Sequence, residues 1–195
     1  FSVQAQLKRM ADLLIALLLL LLTSPLIALA ALLIWLEDRG PIFYSQQRSG
    51  WLGTPFNVFK LRTMSVQPDD APAEWTQIGD QRITGVGRFL RRVRLDELPQ
   101  LLNVINGEMS LIGPRPEQPE LEHQLELSIP HYRKRHWMRP GLSGWAQVCA
   151  PYASSVEESD LKLSYDLYYM KNFSTWLDIL IVIRTIKIIL KAAGR

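Results

Sequence analysis

Residues 88–116 read RFLRRVRLDELPQLLNVINGEMSLIGPRP, and the rest of the chain is interpreted outward from this stretch. It contains the carboxylate pair Asp96 and Glu97 and ends with Arg115 between two prolines. Four arginines precede the pair: Arg88, Arg91, Arg92 and Arg94. Charges on a solvated helix face usually alternate in sign. The one-sided cluster therefore indicates a bound anion such as a phosphate, with carboxylates that their neighbours keep ionised.

The same stretch predicts where helices begin. Apolar residues recur at three- and four-residue spacing from Ile83 to Val93, which predicts an amphipathic helix. Pro99 is tolerated only in a first helical turn, so a new helix is expected to begin near Asp96, where backbone dipoles favour an anion. A capping Asp followed by a first-turn Glu is the better explanation of the position alone, but it does not explain the arginines.

The end of the stretch holds a constrained arginine. Met109–Ile112 predicts a short buried extended run, and Gly113 and Pro114 follow it. Pro114 fixes its own φ and Pro116 biases Arg115 toward an extended backbone. A guanidinium held in this way suits two phosphate oxygens. Pairing of Arg115 with a surface glutamate is the alternative.

Composition limits the class of protein. The chain has 195 residues, of which 48% are hydrophobic, and we expect one domain over residues 1–195. A net charge of +3 is far below that of a nucleic-acid binder, so no nucleic-acid partner is expected, whereas a membrane surface or a phosphorylated substrate suits it. Cys149 is the single cysteine, which excludes an intrachain disulfide. The start at Phe1 rather than Met is expected of a piece of a longer protein.

An uncharged apolar run extends from Leu13 to Leu36. As a straight helix it would be roughly 36 Å long, enough to cross a bilayer. A signal peptide, a plain spanning helix and a re-entrant helical hairpin are the alternatives. The run is too long for a signal-peptide core, and Ser24–Pro25 in its middle favours a sharp bend. The hydroxyls of Thr23 and Ser24 are expected to bond the carbonyls that the proline frees.

Positive charges lie on both sides of this run. Lys8 and Arg9 precede it, and four further cations follow it: Arg39, Arg48, Lys60 and Arg62. Cytoplasmic flanks carry an excess of Lys and Arg, so two positive flanks are hard to reconcile with one translocated end. We therefore predict a re-entrant membrane helix over residues 10–36, bent at Ser24 and Pro25, with both ends in the cytoplasm.

Shorter elements follow. Ile42–Gln47 and Pro55–Leu61 predict a β-hairpin, and Lys60 and Arg62 would share a strand face, either in solvent or at a phosphate. Residues 65–79 predict a loop and residues 117–128 a polar helix. The basic run 131–136 is expected at a solvated or membrane-facing edge. Trp176–Leu190 predicts a helix on the membrane interface, with a buried core helix as the alternative.

These elements define the expected fold class. It is α+β and mostly helical, with an N-terminal re-entrant membrane helical hairpin, a small β-hairpin and interfacial amphipathic helices.

Six segments, in order along nearly the whole chain, carry a family resemblance. They are Lys8–Arg9 with Asp12, the Ser24–Pro25 break, KLRTM at 60–64, LDELPQL at 95–101, MSLIGPRP at 109–116 and RPGLSGWAQ at 139–147. Together they resemble the bacterial sugar transferase family, the monotopic phosphoglycosyl transferases. The resemblance implies transfer of a sugar 1-phosphate from a UDP-sugar to polyprenol (undecaprenyl) phosphate with release of UMP, in polysaccharide or glycoconjugate biosynthesis. It also implies Mg²⁺, membrane lipid around the re-entrant helix, and an active site on the cytoplasmic face of the bacterial inner membrane.

The resemblance also implies roles for individual residues. Asp96 would attack the β-phosphorus, form a phosphosugar–aspartyl intermediate and contact the metal. Glu97 would be its acidic partner, positioning the metal or handling a proton. Four cations are the expected phosphate-binding residues: Arg91 and Arg115 from the family pattern, and Lys60 and Arg62 from their spacing.

Some positions depart from the family pattern. Cys149–Ala150 stands where many relatives have Asn-Gly, and Arg94, to which no role is assigned, stands where a small polar residue is common. Larger members of the family carry an additional N-terminal membrane region. Two other functions compete: a membrane glycosyltransferase that moves only the sugar and releases UDP, and a non-catalytic basic membrane scaffold. The sequence leaves oligomeric assembly open.

Overall fold

A computed structural model describes residues 3–66, 80–150 and 155–190. Most of the predicted loop at 65–79 therefore lies outside the described residues. Seven α-helices occur in the described ranges: α1 Val3–Asp38, α2 Gly85–Val93, α3 Leu101–Asn106, α4 Pro119–Ser128, α5 Trp145–Cys149, α6 Val156–Lys171 and α7 Thr175–Leu190. The strands there are β1 Phe43–Ser49, β2 Pro55–Leu61, β3 Ser110–Ile112 and β4 Gly141–Ser143. Short 3₁₀ helices cover Trp51–Gly53, Leu95–Gln100 and Tyr132–Trp137. The chain is mostly helical, as predicted.

Helix α1 continues through Pro25 without a break in its helical assignment. Proline lacks the N–H that would otherwise donate to the carbonyl of Leu21. The hydroxyl of Ser24 donates to that carbonyl instead at 2.8 Å, and Thr23 Oγ1 donates to Leu19 O at 2.7 Å. The expected hydroxyl bonds are thus confirmed. The expected separation into two helices, and with it the re-entrant hairpin, is not confirmed.

One face of α1 packs along the folded body over both of its halves. Ala16 joins one core cluster, which it shares with Phe56, Val58, Leu101, Val104 and Met109. Ala30 and Ile34 join a second, which they share with Leu61 and Leu90. Most other side chains of α1 are exposed and apolar, and among the described residues α1 is the helix long and apolar enough to cross a membrane. Its outer face therefore has no partner within residues 3–66, 80–150 and 155–190.

Both ends of α1 are bound to this same body. Arg9 donates to the carbonyls of Val104 and Ile105 at 2.6 and 2.9 Å, at the C-terminal end of α3. At the other end, Glu37 Oε1 accepts the backbone N–H of Gly85 at 2.9 Å, at the start of α2. Carboxylates stabilise a helix N-terminus and cations a C-terminus, so both contacts have the favourable polarity.

The predicted β-hairpin is confirmed. Strands β1 and β2 pair antiparallel from Phe43 opposite Leu61 to Ser49 opposite Pro55. The chain reverses through the 3₁₀ turn, where Leu52 has a φ of 55°. The register aligns Tyr44 with Lys60, which places Lys60 on the same face as alternate residues of β1.

The predicted helix start near Asp96 is also confirmed. Helix α2 is capped by Thr84, whose side chain accepts the N–H of Gly87. It ends at Val93. Its C-cap, Arg94, has a φ of 60°, and the 3₁₀ helix Leu95–Gln100 follows at once with Pro99 inside it. The carboxylate pair therefore lies in the first turn of a helical segment that continues into α3.

Strand β3 is the predicted extended run and pairs parallel with β4. Glycines make this contact close: a Cβ on Gly141 would lie 2.0 Å from the nitrogen of Gly113. Gly141 N also donates to Pro114 O at 2.8 Å. Two distant segments of sequence, 109–116 and 139–147, thus form one unit that fixes the backbone next to Arg115.

Helix α7 was expected at a membrane interface, with a buried core helix as the alternative. Its side chains are largely exposed and apolar, Trp176 and Leu190 most of all, and Ile181 is fully buried. A buried core helix is therefore wrong. An exposed apolar face is what a helix on the membrane interface requires. Placement of α7 at an interface is consistent with this face and stays a prediction.

Candidate active site

Asp96 lies in the 3₁₀ helix with only 8% of its surface exposed. Its Oδ1 is buried and has no hydrogen-bond partner among the described residues. Burial, and next the charge of Glu97, raise the pKa of Asp96, while Lys60, Arg91 and Arg94 oppose them. A buried carboxylate oxygen without a partner is costly, so its occurrence indicates a ligand-binding or reactive group.

Glu97 is the centre of the surrounding charges. Its Oε1 accepts from Lys60 Nζ at 3.0 Å and from a terminal nitrogen of Arg115 at 3.0 Å. Arg94 lies on the other side, 3.9 Å from Oε2. Burial opposes ionisation of Glu97, but Arg115, Lys60 and Arg94 outweigh it and hold the pKa of this carboxyl well below its usual range. Glu97 is therefore a fixed anion that holds cations next to Asp96.

Two of the predicted phosphate-binding cations adjoin Asp96 from the hairpin and from α2. Lys60 is the penultimate residue of β2, and burial lowers the pKa of its ammonium group. Arg91 comes from the last turn of α2, and its Nε donates to Thr63 Oγ1 at 2.8 Å. That bond fixes the guanidinium of Arg91 close enough to Asp96 for its positive charge to favour the ionised carboxylate.

Arg62, which was also predicted to bind phosphate, lies elsewhere. Its terminal nitrogens pair with both carboxylate oxygens of Asp38 at 2.5 Å, and its remaining bonds go to Pro41 O and Met64 O. The structure therefore uses Arg62 to bind the C-terminal end of α1. The shared strand face with Lys60 is wrong, because β2 ends at Leu61.

Arg48 is a cation of the site that the sequence interpretation missed. It lies on β1, and its guanidinium donates to Pro116 O at 3.3 Å and lies 4.0 Å from Glu117. Burial, followed by the charge of Arg115, lowers its pKa. The available signal was the hairpin register, which places residues 44, 46 and 48 on one strand face with residue 60.

The backbone of Arg115 is held by a buried ion pair. Arg135 donates to Arg115 O at 2.8 Å, to Asp166 Oδ2 at 3.0 Å and to Tyr132 Oη at 2.7 Å. Arg135 and Asp166 are only 4% and 2% exposed. Through the bond from Arg135, this buried pair fixes the carbonyl of Arg115.

The prediction that residues 131–136 form a solvated or membrane-facing edge is thus wrong for three of them, since Tyr132, Arg135 and His136 are buried. Arg135 is buried against Asp166 of α6, and His136 is buried against Glu122 of α4 and the carbonyl of Gly50. The sequence alone does not show that these partner groups come from distant elements. His131 and Arg133 are exposed, as predicted.

Carboxylate oxygens next to the predicted phosphate-binding cations are the groups that could hold Mg²⁺. Mg²⁺ uses one or two protein carboxylates together with substrate phosphates. The unpartnered Oδ1 of Asp96 and the loosely held Oε2 of Glu97 suit this requirement. Elsewhere in the described ranges, Glu122, Glu126 and His136 have ligand atoms within 4.8 Å of one another, but His136 already pairs with Glu122 and Arg133 with Glu126. The residues at Asp96 fit the metal better.

Comparison with known proteins adds independent information. A sequence model of a family described as bacterial sugar transferase matches residues 3–192. A UDP-N-acetylgalactosamine-undecaprenyl-phosphate N-acetylgalactosaminephosphotransferase of Aeromonas hydrophila is 46% identical over 192 residues, which are 98% of this chain and 45% of that protein. A UDP-glucose:undecaprenyl-phosphate glucose-1-phosphate transferase of Caulobacter vibrioides is 44% identical over 181 residues, or 92% and 68% of the two chains.

A protein of that same name from Escherichia coli K12 is 40% identical over 187 residues, covering 95% of this chain and 40% of the relative. The chain therefore spans less than half the length of the Aeromonas and Escherichia relatives and about two thirds of the Caulobacter one.

Proposed function

Because the chain belongs to the bacterial sugar transferase family, we propose that it transfers a sugar 1-phosphate from a UDP-sugar to polyprenol (undecaprenyl) phosphate and releases UMP. The named relatives use UDP-sugars and undecaprenyl phosphate. The observation that carries the proposal is the buried, unpartnered oxygen of Asp96 beside Glu97, whose charge holds Lys60 and Arg115. A nucleophile surrounded by cations is what displacement at a diphosphate requires.

The proposed reaction has two displacements at the same phosphorus. In the first, a carboxylate oxygen of Asp96 bonds to the β-phosphorus, and the bond from that phosphorus to the bridging oxygen breaks. UMP leaves with the electron pair, and the sugar phosphate remains on Asp96. In the second, an oxygen of the lipid phosphate bonds to the phosphorus, and the Asp96 carboxylate is restored. Neither displacement requires a protein group to donate or remove a proton.

The electrostatics of the site suit this sequence of steps. Burial and Glu97 raise the pKa of Asp96, which makes its carboxylate more basic and hence a better nucleophile once ionised. Lys60, Arg91 and Arg94 favour the ionised form. Glu97 has a lowered pKa and stays charged, so its proposed role is to hold Lys60 and Arg115 in place for the transferring phosphate.

We propose that Asp96 and Glu97 would hold Mg²⁺ together with substrate phosphate. When bound, it would neutralise charge on the diphosphate and on the departing UMP. The cations of the chain then align the phosphorus with Asp96.

The contacts of α1 support a proposal for membrane placement. A straight helix of this length would extend roughly 54 Å, beyond the roughly 30 Å of a bilayer core. Arg9 and Glu37, near its two ends, both bind the folded body, whereas a spanning helix would carry one end to the opposite side. We propose that the body lies on the cytoplasmic face of the inner membrane. The outer face of residues 10–36 would then enter one leaflet, bent at Ser24 and Pro25, and α7 would lie on the interface.

Topology is tested with single cysteines in a C149S background. Gln6→Cys and Gln47→Cys lie on opposite sides of the apolar run and are exposed. Both should react with a membrane-impermeant maleimide in inside-out vesicles and neither in intact spheroplasts. Labelling of Gln6→Cys in spheroplasts would contradict the re-entrant arrangement.

The reaction is tested by identifying the released nucleotide. Purified protein in nanodiscs is incubated with undecaprenyl phosphate, Mg²⁺ and UDP-N-acetylgalactosamine or UDP-glucose. UMP is expected. Release of UDP would support a glycosyltransferase that moves only the sugar, and absence of turnover across a panel of UDP-sugars would support the scaffold.

A further inference from the structure

Arg94 occupies a backbone conformation that arginine rarely adopts. Its φ is 60° and its ψ 21°, in the left-handed region, at the junction of α2 and the 3₁₀ helix. Its N–H caps the end of α2 by donating to Arg91 O at 3.3 Å. Glycine or asparagine usually occupies this position, because a larger side chain is strained there. A strained residue beside a reactive group indicates that its side chain is used.

The side chain of Arg94 differs from the other cations around Glu97. Lys60 and Arg115 both contact Oε1 at 3.0 Å, whereas Arg94 lies 3.9 Å from Oε2, beyond hydrogen-bond length. The Arg94 side chain is 40% exposed, compared with 20% for Lys60 and 31% for Arg115. Arg94 is therefore the most loosely held and most accessible of the three.

The neighbouring cations are more tightly committed to the protein. Arg91 is bound through its Nε to Thr63, and Arg48 donates to Pro116 O and to Gln46. A guanidinium must be able to turn toward a phosphate that arrives from solvent. Arg48, Lys60, Arg91 and Arg115 would each lose a hydrogen bond on turning, whereas Arg94 would lose only a contact at 3.9 Å.

We propose that Arg94 is the residue that captures the diphosphate of the incoming nucleotide sugar and leaves Glu97 Oε2 as it does so. This inference rests on the proposed function. Movement of Arg94 leaves both contacts on Glu97 Oε1 in place, so Lys60 and Arg115 stay positioned for the transferring phosphate. It also brings a positive charge to the solvent side of Asp96, where a diphosphate, already anionic, would arrive.

The test compares four variants with the wild type: R94Q, R94K, R94G and, as a matched control, R92Q. Arg92 lies in the same turn of α2 and is exposed, and no role is assigned to it. The dissociation constant of Mg²⁺–UDP-N-acetylgalactosamine and of Mg²⁺–UDP-glucose is measured with the full chain in nanodiscs. KM for each nucleotide sugar and for undecaprenyl phosphate is measured on the same preparations.

R94Q should weaken binding of the accepted nucleotide sugar about tenfold to hundredfold, the effect of losing one charge-assisted contact. Its KM for undecaprenyl phosphate should change less than threefold. R94K should recover part of the affinity for the nucleotide sugar that R94Q loses. R94G removes the backbone strain as well as the charge, so it should be at least as heat-stable as the wild type and bind the nucleotide sugar as weakly as R94Q. R92Q should resemble the wild type.

The split between KM and kcat separates capture from mere support of Glu97. Loss of capture should raise KM for the nucleotide sugar in R94Q with little change in kcat, whereas a displaced Glu97 would also lower kcat, because its Oε1 holds Lys60 and Arg115. If R94Q binds the nucleotide sugar as R92Q does while the wild type releases UMP, the inference is wrong and the proposed function stands. If the wild type neither binds a UDP-sugar nor releases UMP, both are wrong.

Discussion

Replacing Glu97 by glutamine tests the charge balance of the site. The substitution keeps shape and one acceptor oxygen but removes the negative charge that Lys60 and Arg115 share at 3.0 Å each. A hydrogen bond to a charged partner contributes about 1.5–3 kcal/mol and a neutral one about 1 kcal/mol. The difference is about 1 kcal/mol for each contact. Arg115 is 31% exposed and its charge is partly screened, so we expect the free energy of unfolding to fall by about 2 kcal/mol in total.

The assay is thermal unfolding of the purified protein in one detergent, with Glu120→Gln as the matched control. Glu120 lies exposed in the first turn of α4. A loss of about 2 kcal/mol should lower Tm by roughly 4–8 °C for a chain of this size. E120Q should unfold within about 2 °C of the wild type, because exposed substitutions have small effects.

The difference in Tm between wild type and E97Q should depend on pH in a way that can refute this reasoning. The pKa of Glu97 is lowered in the folded state, so its contribution is fully present above the unfolded value of about 4.3 and is lost as pH falls through the lower folded value. The gap in Tm between wild type and E97Q should therefore not narrow from pH 8 to about 5, and it should narrow only below that; the raised pKa of Asp96 in the wild type acts in the same direction, because it can only widen the gap as pH falls. A gap that narrows between pH 7 and 5, or a Tm equal to that of E120Q, would refute the reasoning.

Two further substitutions follow from contacts outside the carboxylate pair. Asp166→Asn removes the carboxylate that is hydrogen-bonded to the buried Arg135 and leaves Glu117, 3.8 Å away, as its nearest counter-charge. It should cost about 1.5–3 kcal/mol of stability, measured by thermal unfolding, and lower the affinity for nucleotide sugar because Arg135 holds Arg115 O. An unchanged Tm would contradict the buried pair. Ser24→Ala leaves Leu21 O without its hydroxyl donor and should lower stability in nanodiscs by about 1 kcal/mol, whereas Ser24→Thr, which keeps a hydroxyl, should not.

Local patterns in the sequence were sufficient for several elements of the site. The helix that ends before Asp96, the new segment that starts there and the constrained backbone of Arg115 all follow from apolar spacing and from prolines. These signals lie within a few residues of the feature that they predict. The β-hairpin that carries Lys60 could be predicted for the same reason, since its strands and turn are adjacent in the chain.

Local sequence patterns could not predict contacts between distant segments. Arg135 is buried because Asp166 of α6 lies against it, and Arg62 is engaged because Asp38 ends α1 beside it. A run of basic residues looks the same in sequence whether or not such a carboxylate folds onto it. Pro25 is a third case. The hydroxyl of Ser24 replaces the missing donor, so α1 continues as one helix where proline alone predicts an interruption.

The central claim is that Asp96 carries the sugar phosphate between the two substrates. The most direct measurement is a single-turnover reaction of the wild type with Mg²⁺ and its accepted UDP-sugar in the absence of undecaprenyl phosphate, followed by peptide mass spectrometry. We predict UMP in an amount close to that of the enzyme and a phosphosugar adduct on Asp96. Both should be missing from Asp96→Asn, whose turnover should fall by more than about 1,000-fold. Release of UMP only when undecaprenyl phosphate is present, with no adduct on Asp96, would contradict the account.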